Sequence, residues 1–121
     1  MDRKTREPLT RARVLDAAVA LADAQGIPAL TMRRLAAELG VEAMSLYHHL
    51  PGKAGLLDGL AEAVVEEIGA AVRATGDGAT DWRASLRRRF VAAREVMLRH
   101  PWAPALLGSA LTTRLEHRLF L

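Results

Sequence analysis

The side chains of this chain best suited to chemistry are three cations, Arg33, Arg34 and Lys53, set around the stretch TMRRLAAELGVEAMSLYHHLPGK from Thr31 to Lys53. Lys53 follows Pro51-Gly52 in what reads as the first turn of a helix, where the positive end of the helix dipole disfavours a cation. The placement makes sense when an anion sits there, because backbone N–H groups and the ammonium then converge on one phosphate. A solvated surface lysine is the competing reading. The chemistry implied is anion binding, not catalysis. No serine stands with a histidine and an acid partner, no carboxylates pair in an apolar setting, and no glycine-rich loop cradles a phosphate. His48 and His49 are neighbours that point about 100° apart on a helix, with no Cys, Asp or Glu four residues on, so no metal site is expected.

Holding these groups takes two short helices and a turn. Thr31 is placed to cap the first, whose apolar Met32, Leu35, Ala36 and Leu39 recur at helical spacing. Gly40 supplies the left-handed residue that ends it, and Val41 can fold back onto the preceding turn. A second helix follows from about Glu42 to Leu50, anchored inward by Val41, Leu46 and Leu50. Tyr47 caps the core with its ring and leaves its hydroxyl wet. This is the layout of a helix-turn-helix, whose second helix presents side chains to the DNA major groove.

The flanking chain supports that frame. Residues 1–9 read as a flexible arm, and Arg3, Lys4, Arg6, Arg11 and Arg13 crowd this end. Thr10 caps a helix running to about Gln25, with Val14, Ala17 or Ala18, Leu21 and Ala22 inward, and Gly26 with Pro28 stops it. A long fourth helix spans about Lys53 to Ala74 with the stripe Leu57, Leu60, Ala61, Val64, Val65, Ile68 and Val72. Asp58, Glu62, Glu66 and Glu67 take its other faces. Gly55, Gly59 and Gly69 within it suggest close packing against neighbours. The linker from Thr75 to Thr80 marks a domain boundary, so 10–74 form one domain and 81–121 begin a second. A fifth helix from about Asp81 to Arg99 is expected to bury Trp82, Leu86, Phe90, Ala93 and Met97, with His100-Pro101 ending it. Residues 102–109 read as a sixth segment, and Thr112 or Thr113 caps a seventh. No strand pattern, internal repeat or low-complexity tract interrupts this all-α reading.

Composition agrees. Of 121 residues, half are hydrophobic and only 4% aromatic, so the core is built from Ala, Leu and Val, a diet that favours helices. The net charge of +3 is modest and does not argue for nucleic acid by itself. Arg87, Arg88 and Arg89 fan around more than half a helix and cannot form one flat basic stripe. No cysteine is present, and no apolar run approaches the length of a signal core or membrane span, so a cytoplasmic protein without a membrane partner is expected.

The order helix, Ala-x-x-Leu-Gly-Val, Leu-Tyr-His-His-Leu, Gly-Lys, Leu-Leu resembles the tetracycline-repressor (TetR) family of bacterial transcriptional regulators. The resemblance is strong from Thr10 to about Leu60 and weaker through Trp82 to Gly108. It implies a three-helix DNA-binding head, a long connecting fourth helix and a helical regulatory domain. That domain is expected to be incomplete, because the chain stops at Arg118-Leu-Phe-Leu121 inside an amphipathic pattern where relatives carry further helices, including the pair that forms the dimer's four-helix bundle.

Carried over by position, the resemblance sets Ala43, Met44, Ser45 and His48 against base edges. Tyr47, His49, Thr31, Arg33 and Lys53 meet phosphates or the groove wall, and Arg33 also suits a guanine. The founding repressor has an amide side chain where this chain has Ala43, which can touch only a thymine methyl, so the operator sequence does not transfer. In the second domain Arg89 matches a polar ligand contact. Ala93 and Leu107 stand where tetracycline-binding relatives have an aromatic ring and a metal-ligating histidine, so tetracycline–magnesium is not the expected ligand. Met97, Trp102, Leu106 and Leu107 read as core.

The function implied is a repressor that binds a palindromic operator as a homodimer and is released by an unidentified small-molecule effector, with no cofactor. The alternative is a truncated helical interaction module without ligand-regulated DNA binding.

Overall fold

A computed structural model of the chain describes residues 8–76 and 81–109. All regular structure among them is helical: α1 (Arg11–Gln25), a 3-10 turn (Ile27–Ala29), α2 (Met32–Leu39), α3 (Ala43–Tyr47), α4 (Gly52–Ala74) and α5 (Trp82–Arg99), with residues 103–109 helical again. Most of the expected basic arm, the later part of the linker and the cap at Thr112 or Thr113 lie outside the described residues. The chain forms two compact units, Met1–Leu60 and Ala61–Leu121, and the division falls inside α4.

In the first unit the caps set the helix bounds. The Thr10 hydroxyl accepts the Arg13 N–H at 3.1 Å, and the Thr31 hydroxyl accepts that of Arg34 at 3.0 Å, each satisfying an orphan donor. Gly40 closes α2 with φ +68, and the Val41 N–H reaches back to the Ala36 carbonyl at 3.0 Å. This is the six-residue return that a left-handed glycine permits. α3 is shorter than its sequence suggests, ending at Tyr47 and not at Leu50. Pro51 disfavours helical backbone at the residue before it, and the chain leaves in a turn with the Leu50 N–H on the Leu46 carbonyl at 2.8 Å.

The head's core joins Val14, Leu15, Ala18, Leu21 and Ala22 of α1 to Leu30, Met32, Leu35, Ala36, Leu46, Leu50, Leu56 and Leu60. One register is corrected here. α4 buries Leu56 fully and leaves Leu57 half-buried. The cause is a close approach at Gly59, where a Cβ would lie 2.6 Å from Leu15 Cδ2. Leu56, Gly59 and Leu60 share one helix face, so α1 selects that face and not the one through Leu57. Gly69 does not serve packing between helices, since its nearest side chain is Arg73 of α4 itself.

In the second unit Val64, Val96 and Ala103 form a buried cluster with Ile68, Ala71, Trp102 and Leu107 against it. The Asp81 carboxylate caps α5 by accepting the Arg83 N–H at 3.0 Å. Here the expected stripes fail in two places. Val65 is 56% exposed, and Trp82, Leu86 and Phe90 are 69, 45 and 67% exposed. Val96 is the fully buried residue of α5, about a quarter turn around the helix from that stripe. A helix buries the face another element covers, whatever its most apolar face is.

Candidate nucleic-acid interface

The short α3 is held from one side only. Leu46 is wholly buried beneath it while Met44 is 75% and Tyr47 48% exposed, and His48 is exposed as well. Ala43, Ser45 and His49 are half-buried at its margins. Five residues make too few hydrogen bonds to persist alone, so Leu46 and Leu50 fix this helix by packing. What faces outward is a thioether, a phenol and an imidazole on a rod little more than a turn long.

α2 brings two of the sequence candidates to its amino end. The Thr31 hydroxyl accepts the Arg34 N–H, which leaves its own O–H as a donor. Arg33 is exposed and its side chain makes no hydrogen bond or ion pair among the described residues, whereas Arg34 sits 3.9 Å from Glu38 in a loose surface pair. Such exposed pairs contribute little. Of the two arginines, Arg33 is the one available to an outside acceptor.

Lys53 has a partner that neither reading of its sequence included. It is exposed in the first turn of α4, and its Nζ donates a hydrogen bond to the Leu30 carbonyl. That carbonyl immediately precedes Thr31, so the ammonium stands beside the start of α2. Two helix amino ends and a cation therefore converge, an arrangement that favours an anion. Sequence reasoning missed the partner, because nothing in a sequence marks a backbone carbonyl 23 residues away as an acceptor.

Arg89 is exposed, Ala93 half-buried, and Leu107 packs against the Val64–Val96–Ala103 cluster. A polar cluster unmarked by any sequence pattern lies nearby. Glu67 of α4 takes Arg99 Nη2 at 2.8 Å on one oxygen and His100 Nε2 at 2.8 Å on the other. Burial pushes the Glu67 carboxyl up, but the hydrogen bonds and positive charge of Arg99 and His100 outweigh it and hold the group below the usual carboxylate range. The His100 ring is buried and lies 5.4 Å from that of Trp102.

Known proteins share this arrangement. Residues 14–60 match the bacterial regulatory proteins of the tetR family. The chain is 45% identical over 94 residues to the HTH-type transcriptional repressor DrrR1 of Streptomyces coeruleorubidus, covering 78% of this chain and 34% of that protein. It is 38% identical over 93 residues to the tetracycline repressor protein class D of Escherichia coli, covering 76% and 41%. Among solved structures, TetR from Acinetobacter baumannii AYE superposes with a TM-score of 0.75 at 30% identity, over 84% of this chain and 52% of that one. The chain thus spans roughly two fifths or less of these two curated relatives. Because the family match falls on α1, α2, α3 and the start of α4, the same helices that expose Met44 and Tyr47 over a buried Leu46, the chain belongs to the tetR family of bacterial regulatory proteins.

Proposed function

We propose that the chain is a transcriptional regulator, acting as a repressor, that binds a palindromic DNA operator as a homodimer and is released by a small molecule. The observation that carries this reading is the outward face of α3, where Met44, Tyr47 and His48 project over a wholly buried Leu46. In this reading Ala43, Met44, Ser45 and His48 meet base edges. Thr31, Tyr47, His49 and Lys53 meet phosphates, and Arg33 meets a phosphate or a guanine. Residues 10–74 serve as the DNA-binding domain with its connecting helix, and 81–121 begin the effector and dimerisation domain. Arg89, Ala93 and Leu107 border the effector site.

Release follows from α4, one continuous helix that starts at Gly52, beside Lys53, and continues into the second unit. An effector that shifts α4 alters the separation of the two heads, which must match successive major grooves about 34–36 Å apart. No helix among the described residues is long and apolar enough to cross a membrane. The regulator works in the cytoplasm.

Selection of bound duplexes from a random pool tests this. A palindrome with half-sites one turn or more apart is the expected product. Absence of any enriched sequence, with a folded chain, refutes it. The exposed Trp82, Leu86 and Phe90 favour a second reading, a helical interaction module without regulated DNA binding. Enrichment of an operator by this chain alone excludes that alternative.

A further inference from the structure

None of the 121 residues is cysteine, so the sulfur of this chain lies in four methionines, Met1, Met32, Met44 and Met97. Met1 lies outside the described residues. Met32 is buried in the core of the head, and Met97 is half-buried on α5. Met44 is 75% exposed, which makes its thioether the most open sulfur among the described residues. It also falls within the matched residues 14–60, on the outward face of α3.

A long apolar side chain left this open gains nothing from burial in the free chain. In a major groove the apolar feature it can meet is the 5-methyl group of thymine. That contact depends on the oxidation state of the sulfur. A sulfoxide turns the apolar tip into a polar one and adds an acceptor oxygen. The duplex there already presents N7, O6 and O4 as acceptors beside an anionic backbone, so the added oxygen is poorly matched.

We propose that Met44 is an oxidation site whose conversion to the sulfoxide weakens DNA binding. The oxidant class is a hydroperoxide. The sulfur attacks one peroxide oxygen, the O–O bond breaks and an S–O bond forms. The sulfur gives up two electrons, and hydrogen peroxide leaves as water with both of its protons. The change is reversible, because methionine sulfoxide reductases, one for each sulfoxide epimer, restore the thioether. The fold is spared, since α3 is held by the buried Leu46 and Leu50. The switch rests on the DNA reading above, whereas the chemistry at sulfur does not.

Hydrogen peroxide treatment of the purified chain, read by peptide mass mapping and by gel shift on a selected operator, tests it. Met44 should gain its oxygen before Met32 and Met97. Operator affinity should then fall about tenfold, the scale of one lost base contact, with the circular dichroism spectrum unchanged. The reductases should return the affinity. Met44→Leu, whatever its starting affinity, should lose nothing further on peroxide treatment, while Met97→Leu should respond as the parent does. Oxidation of Met32 or Met97 ahead of Met44 overturns the proposal. So does a Met44 sulfoxide that binds as tightly as the parent, or a loss that persists in Met44→Leu. A chain that enriches no operator refutes the DNA reading and the switch together, whereas an operator bound equally before and after oxidation refutes the switch alone.

Discussion

Lys53 at the start of α4 donates its ammonium proton to the backbone carbonyl of Leu30, the residue just ahead of the Thr31 cap of α2. The bond pins a mobile four-carbon side chain to one spot beside an amino helix end. Charge and tether can be separated by substitution. Lys53→Gln keeps a donor for Leu30 and removes the cation, while Lys53→Ala removes both. If the cation meets one phosphate, both variants should lower the slope of log affinity against log salt by about 0.9 in a gel-shift titration. A slope unchanged in both variants would remove Lys53 from the interface.

The two faces of α3 predict opposite results for two apolar side chains two positions apart. Leu46 is fully buried, so Leu46→Ala should cost about 2–5 kcal/mol of stability. Met44 is 75% exposed, so Met44→Ala should leave the melting temperature within about 2–4 °C of the parent, in keeping with the small effect of surface substitutions. Thermal melts check both, and operator affinity should fall for Met44→Ala while its melt stays put.

Thr31 carries a structural duty besides any contact with DNA. Its hydroxyl caps α2 through the Arg34 N–H, so Thr31→Ala should cost about 1 kcal/mol and Thr31→Ser nearly nothing. Denaturant titration with an unchanged m-value is the measurement. Equal losses for alanine and serine would mean that the methyl group, not the cap, matters.

Glu67 predicts a pH dependence. Its carboxyl is held below its ordinary range in the folded chain, so the unfolded state binds the proton more readily. The contribution is therefore present above the ordinary carboxylate pKa and is lost as pH falls through the lowered folded value. Glu67→Gln should melt lower than the parent at neutral pH, and the gap should close as the medium is acidified below that range. The carboxylate's side chain is 38% exposed, so solvent screening keeps the effect small. A gap independent of pH would show that shape, not charge, is what Gln removes.

The head was legible because its signals are local. Thr10 and Thr31 announce caps within three residues, Gly40 announces a left-handed stop, and Leu46 with Leu50 announce an inward face. The stop after Tyr47 was foreshadowed by Pro51 but overruled by the apolar spacing through Leu50. The second unit was harder to read, because burial there depends on which neighbour arrives. Trp82, Leu86 and Phe90 are the most apolar stripe of α5, yet Val64 meets Val96 instead. Glu67 and His100 lie 33 residues apart, and no spacing rule links them.

The most outward residues of α3 bear little of the weight of the fold. Met44 and His48 hang from a scaffold whose shape is dictated by Leu46, Leu50 and the reversal at Gly40, so they are exchangeable with little penalty to the head. A lineage built on this plan can retune which nucleotide sequence it favours by surface substitutions alone, and it need never revisit how the head folds.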